Sequence, residues 1–180
     1  MLRTRRLDLV PAGPEHLQAE LRAPRDLESM LGARVPASWP PGEYDRDALA
    51  YFHTRLEAEV TASIGWYVWY AITRNDGGQR EQLIAGAGFF GPPCGGSVEI
   101  GYSVIPSARQ QGFATEMVAA LVEYAFRTDA VNEVIAHTSD ANPASIAVLL
   151  HCGFERAGAG SEPGSIQYRR CRIPRVGSSG

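Results

Sequence analysis

The segment Arg109-Gln110-Gln111-Gly112-Phe113-Ala114 lies between residues 97–105, which read as a strand, and residues 114–127, which have helical spacing. The first amides of a helix have no intrahelical partner and carry the positive end of its dipole, so they bind phosphate. Gly112 allows a close backbone approach or a positive φ, and Arg109 can add a charge-assisted bond. The Walker loop and the dinucleotide fingerprint both have other spacings. The pattern Arg-x-x-Gly-x-Ala therefore predicts a phosphate site of a different kind.

Helical and strand-like periodicities alternate along the whole chain. Strands are predicted at residues 2–10, 66–73, 83–90, 97–105, 133–138, 154–157 and 166–173, and helices at 15–22, 25–31, 45–60, 114–127 and 143–152. Turn signals separate the three strands between residues 66 and 105, which predicts an antiparallel meander. We expect one α/β (α+β) domain over residues 1–175, with 176–180 as a flexible tail or an expression remnant.

Composition and charge restrict the class of protein. The 180 residues are 44% hydrophobic and carry a formal net charge of -3, which argues against nucleic acid or an anionic membrane as the main partner. The cysteines Cys94, Cys152 and Cys171 are odd in number and widely spaced, which fits neither a disulfide framework nor a zinc site. No signal peptide or membrane-spanning run is recognisable. These features predict a cytoplasmic protein without a metal.

The loop and its surroundings resemble the GNAT superfamily of N-acetyltransferases, whose signature loop is Gln/Arg-x-x-Gly-x-Gly/Ala. Val98-Glu99-Ile100-Gly101-Tyr102-Ser103-Val104 precedes the loop, and Ala114-Thr115-Glu116 follows it. Asn142-Pro143-Ala144-Ser145 and Cys152-Gly153-Phe154 come later, in the family's order. The opening Thr4-Arg5-Arg6-Leu7-Asp8-Leu9 looks like the branch that includes the ribosomal-protein N-terminal acetyltransferases. The resemblance implies a mostly antiparallel mixed sheet with a splayed strand pair, flanked by helices.

The resemblance also implies acetyl-CoA as co-substrate. Its pantetheine arm would lie between the strands at residues 97–105 and 133–138, paired with backbone groups of Ser103 and Val104. The pyrophosphate would contact Arg109, Gln110, Gln111, Gly112, Phe113, Ala114 and Thr115. Asn142 has a structural role as helix N-cap before Pro143, and the resemblance adds a bond to pantetheine.

Glu99 is the candidate general base, because a neutral amine must attack the thioester and a carboxylate in the cleft can accept its proton. The alternative is a solvent-facing residue paired with an Arg. Many relatives protonate the departing thiolate with a Tyr where this chain has Leu149. Ser145, Tyr102 or a water would replace it, and Ser145 is our candidate. His137 on the neighbouring strand is interpreted as structural.

The acceptor pocket is the least constrained part of the sequence. Trp39, Tyr44, Trp66 and Trp69 are its candidates, although each is also a candidate for the core, and Trp66 and Trp69 should face opposite sides of one strand. The predicted reaction is direct acetyl transfer from acetyl-CoA to a primary amine in a ternary complex. The alternative is a catalytically weak acyl-CoA-binding regulatory module. The acceptor is left open between a protein N-terminus, an antibiotic, a polyamine and a metabolite, and a homodimer is compatible with the sequence.

Overall fold

The computed structural model describes residues 1–22, 24–42, 44–58 and 64–173. Its strands are β1 Leu2–Arg3, β2 Leu7–Pro11, β3 Val68–Arg74, β4 Arg80–Phe89, β5 Ser97–Val104, β6 Glu133–Ser139, β7 Glu155–Ala159 and β8 Ser165–Cys171. Its helices are α1 Pro14–Arg22, α2 Pro24–Leu31, α3 Arg46–Ala58, α4 Phe113–Ala125 and α5 Pro143–His151, with a 3-10 turn at Pro106–Ala108. The expected tail at 176–180 lies outside the described residues.

The strands form one sheet in the order β1-β2-β3-β4-β5-β6-β8-β7. All neighbours pair antiparallel except β5 and β6, which are parallel. The β5–β6 pairing runs only from Ser97 to Glu99, whereas β5 stays paired with β4 up to Val104 and β6 with β8 up to Ser139. The two central strands therefore diverge into an open gap. The mostly antiparallel sheet, the β3–β5 meander and the splayed pair are all confirmed.

The N-terminal strand is not continuous, contrary to the prediction for residues 2–10. The amide of Thr4 donates to the carbonyl oxygen of Leu7 at 2.9 Å, which closes a turn between β1 and β2. The two strands then pair antiparallel, with Leu2 opposite Leu9. The apolar alternation was correct on each side of the turn, but three polar residues in a row, Thr4 to Arg6, turn the chain back.

Two hydrophobic clusters cover opposite faces of the sheet. On one face, α4 buries Met117, Leu121 and their neighbours against β5 and β6. On the other face, α1, α2 and α3 bury Leu17, Leu27 and Leu56 against the side chains of β3. The gap between β5 and β6 therefore opens between two packed layers.

Asp8 ties the N-terminal hairpin to the sheet. Its buried carboxylate forms ion pairs with Arg74 at 2.7 Å and with Arg3 and Arg80 at 3.0 Å each. Burial by itself would raise the pKa of Asp8, but the hydrogen bonds from the three arginines outweigh it and lower the pKa from 3.8 to about 2.

We expect Asp8→Asn to lower the free energy of unfolding at pH 7 by about 2–4 kcal/mol, because the arginines lose their shared anion. Because the pKa of Asp8 is depressed in the folded state, this stabilisation is complete above pH 4 or so. It is lost as the pH falls through about 2. Urea denaturation of the wild type and of Asp8→Asn at several pH values measures this difference in the free energy of unfolding. Asp76→Asn in the exposed β3–β4 turn is the control, and equal stability of wild type and Asp8→Asn at pH 7 would contradict the assignment.

Candidate active site

The predicted phosphate loop occupies the expected position between β5 and α4. Its residues 109–112 are exposed. Gln110 has a φ of 60° and Gly112 a φ of 76°, so the chain passes twice through the left-handed region before α4 begins. Gly112 is the N-cap of α4 and supplies no side-chain cap, so the first-turn amides keep their donors for a ligand. This is the arrangement of an anion site at a helix N-terminus.

Side chains of the loop itself fix its start. Arg109 donates from Nε to the carbonyl oxygen of Val104 at 3.0 Å, and Gln111 donates from Nε2 to the carbonyl oxygen of Ser107 at 2.9 Å. The guanidinium of Arg109 therefore lies against the end of β5, where the gap opens. Ala114 and Thr115 lie in the first turn of α4, directly behind the loop.

Arg6 is a loop-supporting residue that the sequence did not reveal. Its Nε pairs with Glu116 Oε2 at 2.7 Å, its amide donates to Glu116 Oε1 at 2.7 Å, and its Nη1 donates to the carbonyl oxygen of Gln111 at 2.8 Å. The guanidinium also stacks 4.2 Å from the ring centre of Phe113. Burial would raise the pKa of Glu116, but the bonds from Thr4 and Arg6 lower it, so the carboxylate stays charged. The N-terminal hairpin thus holds the loop at Gln111 and the first turn of α4 that follows it.

We expect Arg6→Ala to weaken CoA binding about tenfold, the effect of losing one or two charge-assisted hydrogen bonds that order the loop. Arg5→Ala is the matched control, because Arg5 is an exposed neighbour of the same charge in the same turn. Titration calorimetry with CoA measures both variants. Equal CoA affinity of Arg6→Ala and wild type would remove Arg6 from the site.

The hydrogen bonds between β4 and β5 show which backbone groups of β5 face the gap. The amide of Phe90 donates to the carbonyl oxygen of Glu99 at 3.1 Å, and the amide of Ile105 donates to that of Ile84 at 2.9 Å. Because the direction alternates along a strand, the backbone groups of Ser103 also point to β4, where its partner is Gly86. Those of Tyr102 and Val104 point to the gap. Of the two residues expected to pair with the pantetheine arm, Val104 thus presents its backbone groups to the gap, whereas Ser103 does not and Tyr102 does in its place.

The start of α5 brings Asn142, Ser145 and Tyr102 together. Asn142 Oδ1 accepts from the amide of Ser145 at 3.1 Å, so its N-cap role is confirmed. The hydroxyl of Tyr102 lies 3.0 Å from Ser145 Oγ and donates to the Ser145 carbonyl oxygen at 3.2 Å. Burial raises the pKa of Tyr102 to about 12, although its bond with Ser145 lowers it, so the phenol keeps its proton near neutral pH. Leu149 is fully buried in the core.

Glu99 and His137 form a pair across the gap, at the point where β5 and β6 begin to diverge. His137 Nδ1 lies 2.8 Å from Glu99 Oε1. The side chain of Glu99 is 34% exposed and that of His137 is 19% exposed. The partner of Glu99 is therefore a histidine rather than the arginine considered as an alternative. The interpretation of His137 as a lone structural residue is also incomplete, since only the fold brings the two side chains together.

A cleft of about 120 Å³ opens on the α1–α3 face of the sheet, and it is lined by Tyr44, one of the residues expected at the acceptor pocket. Phe52, Tyr67 and Phe90 also line it. Gly101 and Ser103 carry the cleft along β5 toward Glu99, because residues two apart share a face of a strand.

Trp66 and Trp69 do not line this cleft. Trp69 is buried on the α4 face, where its Nε1 donates to the carbonyl oxygen of Gly65 at 2.9 Å. Trp66 packs against Phe89 and Tyr124 on that same face. The expectation of opposite faces was wrong because β3 begins only at Val68, so strand alternation does not reach Trp66.

Trp39 lies beside the cleft instead of in it, and it is held by the partly buried carboxylate of Glu20. Glu20 Oε1 accepts from Trp39 Nε1 at 2.6 Å, and Glu20 Oε2 accepts from the hydroxyls of Tyr70 at 2.6 Å and Tyr44 at 3.1 Å. Burial raises the pKa of Glu20, although the three donors partly offset this. Glu20 thus anchors the Tyr44 wall of the cleft from behind.

Two other sequence expectations concern metals and membranes. Within the described ranges, no group of three His, Cys, Asp or Glu side chains is arranged to hold a metal ion. In the same part of the chain, none of the helices has the length and apolar character needed to cross a bilayer. Cys94, Cys152 and Cys171 are free thiols, and Cys152 is buried.

Comparison with known proteins gives a consistent result. An acetyltransferase (GNAT) domain model matches residues 6–155. The chain is 25% identical over 155 residues to the uncharacterized N-acetyltransferase YjdG of Bacillus subtilis, covering 86% of this chain and 89% of that protein. It is 28% identical over 179 residues to the FsC-acetyl coenzyme A-N(2)-transacetylase of Aspergillus fumigatus, covering 93% and 74%. Its fold matches the RimL ribosomal L7/L12 alpha-N-protein acetyltransferase in complex with coenzyme A with a TM-score of 0.63 at 16% identity, covering 93% of this chain and 95% of that one. The chain belongs to the GNAT family of N-acetyltransferases.

Proposed function

We propose that this chain transfers an acetyl group from acetyl-CoA directly to a primary amine, within a ternary complex. The observation that carries the proposal is the continuity of two features. The uncapped N-terminus of α4 lies at the end of β5, and the gap between β5 and β6 runs from there to the Glu99–His137 pair. A phosphate site, a channel for an extended arm and a proton acceptor thus follow one another along a single strand.

The residues fit CoA in that order. The pyrophosphate would accept hydrogen bonds from the amides of residues 110–115, with Arg109 beside them. The pantetheine arm would pair with the gap-facing backbone groups of Tyr102 and Val104, and the Asn142 side chain would lie along it. The amide of Val104 is also placed to donate to the thioester carbonyl oxygen as negative charge develops there.

Proton transfer is assigned to two separate pairs. Glu99 accepts the proton of the attacking amine, directly or through water, and His137 positions its carboxylate. On the opposite face, Tyr102 and Ser145 form the pair that can give a proton to the departing thiolate. A thiolate is only weakly basic near neutral pH, so this second transfer contributes less to the rate. The buried Leu149 takes no part.

Thiol release from acetyl-CoA, measured with a panel of primary amines and N-terminal peptides, tests the proposal. The proposal predicts that at least one acceptor accelerates thiol release well above the rate with water alone and appears as its acetylated form in mass spectrometry. If CoA binds but no acceptor accelerates thiol release, the chain is instead an acyl-CoA-binding regulatory module, a reading that the Leu149 substitution favours. If CoA does not bind, neither the acetyltransferase nor the regulatory-module hypothesis is correct.

The three free thiols support a reducing, cytoplasmic setting for this reaction. Cys94 and Cys171 are exposed, and exposed thiols on a small protein persist where disulfides are kept reduced. Burial raises the pKa of Cys152, which keeps that thiol protonated beside α4.

A further inference from the structure

We propose that the acceptor is a single primary amine carried on an aromatic or aliphatic body, and that the α1–α3 cleft selects it against polycations. The inference rests on the proposed acetyl transfer and names the substrate class of that same site. It follows from the walls of the cleft, its floor and its charge.

The walls are aromatic and reach into solvent. Phe52 lies between Tyr67 and Phe90, with both ring centres 6.0 Å from its own, and Tyr51 packs edge-on against it at 5.5 Å. Phe90 is 50% exposed and Tyr51 is 46% exposed. Phe52 thus joins two exposed rings, and the exposed Phe90 lines the cleft itself, which indicates a surface that an apolar body covers.

The floor of the cleft is made of glycines. A Cβ at Gly101 would lie 3.0 Å from the ring of Phe90, and a Cβ at Gly86 would lie 3.4 Å from the ring of Tyr44. The ring of Phe90 therefore packs directly against the backbone of Gly101, where a Cβ would push it outward, and the ring of Tyr44 lies in contact with the backbone at Gly86. The floor of the cleft is thus bare backbone beside flat rings, a slot that suits a planar or slender apolar group.

The cleft offers a polycation no counter-charge. Among its lining residues in the described part of the chain, no side chain is ionisable to a carboxylate. Glu20, which lies behind Tyr44, is already engaged by three donors. Placing several ammonium groups in such a site would cost several kcal/mol in lost hydration. The aromatic faces can attract one ammonium, but not several at once.

One carboxylate does lie in reach, and it is the proposed base. Glu99 is two residues from Gly101 on the same face of β5, a step of about 7 Å along the strand. When the apolar body of the acceptor lies in the cleft, its amine therefore points toward Glu99, and this one carboxylate can pair with one amine nitrogen. This places the reactive amine at the end of the slot and the rest of the acceptor between the rings.

The test compares kcat/KM for phenethylamine and hexylamine with that for spermidine and kanamycin. We expect the two apolar amines to exceed the polycations by about 100-fold or more, the range over which a pocket discriminates when polar groups are left unpaired. A higher kcat/KM for spermidine or kanamycin overturns the inference but supports the acetyl transfer itself. If no amine reacts, saturation-transfer NMR of phenethylamine with the CoA-saturated protein tests whether the cleft binds it. The absence of magnetisation transfer to phenethylamine overturns the inference.

Variants locate the effect in the cleft. Phe90→Ala should lower kcat/KM for phenethylamine about tenfold, with that for methylamine and the CoA affinity unchanged. Met30→Ala is the control, because Met30 is 40% exposed on α2 outside the cleft. Equal losses for phenethylamine and methylamine would overturn the inference. The inference would also be overturned if Phe90→Ala lowered kcat/KM with hexanoyl-CoA as donor but not with acetyl-CoA. The rings would then hold the acyl chain of the donor rather than the body of the acceptor.

Discussion

Gly112→Asp should reduce the affinity for CoA by about 100-fold or more. The change places a carboxylate at the N-cap of α4, where the pyrophosphate is proposed to lie. Two like charges 4 Å apart repel by about 4 kcal/mol at an effective dielectric constant near 20, which corresponds to roughly three orders of magnitude in affinity. The Cβ would also meet the guanidinium of Arg6 at 3.4 Å and disturb the support of the loop. Titration calorimetry with CoA measures the effect.

Gly78→Asp provides a closely matched control. Gly78 has a φ of 77° in the turn between β3 and β4, close to the 76° of Gly112, and a Cβ there meets nothing within 4 Å. Both variants therefore carry a similar backbone strain of about 1 kcal/mol and the same added charge. Only Gly112→Asp should lose its affinity for CoA. If both variants bind CoA like the wild type, the phosphate site is misplaced.

Glu99→Gln should lower kcat about 100-fold, the lower end of what a general base contributes. The amide keeps the size of the side chain and can still contact His137, but it cannot accept the proton of an incoming amine. The CoA affinity should stay unchanged, because Glu99 lies on the other face of β5 from Tyr102 and α5. Steady-state kinetics with a reactive amine, together with CoA calorimetry, separate the two properties.

Two further variants define the role of the pair. His137→Gln should lower kcat less than Glu99→Gln does, and the double variant should be no slower than Glu99→Gln alone, because His137 acts through the carboxylate. Glu155→Gln, at an exposed position on β7, should have no effect. A pH–rate profile of Glu99→Gln identical to that of the wild type would remove Glu99 from the mechanism.

The order of elements and the position of the loop between β5 and α4 were readable from the sequence because they rest on local signals. Strand alternation, helical spacing, Gly112 and the Asn142-Pro143 cap each act within a few residues. The turn at Thr4 to Arg6 was missed because a run of polar residues breaks alternation only briefly. Trp66 was misplaced because its predicted face depended on a strand boundary that was wrong by two residues, Val68 instead of Trp66.

The site itself depended on pairings between distant positions, which no local pattern carries. Glu99 and His137 are 38 residues apart, and Arg6 and Glu116 are 110 residues apart. Glu99 was a candidate base from the sequence alone, but His137 by itself suggested only a structural role, and nothing in the sequence joined Arg6 to Glu116. The role of Tyr102 also required the register of β4 and β5, since a shift of one residue exchanges the backbone groups that face the gap.

The most direct test of the account is a CoA titration followed by heteronuclear NMR of the backbone amides. We predict that saturating CoA shifts the amide signals of residues 110–115 and those of Tyr102 and Val104, and that Gly112→Asp abolishes these shifts. Amide shifts confined to other parts of the chain, or no shifts at saturating CoA, would contradict it.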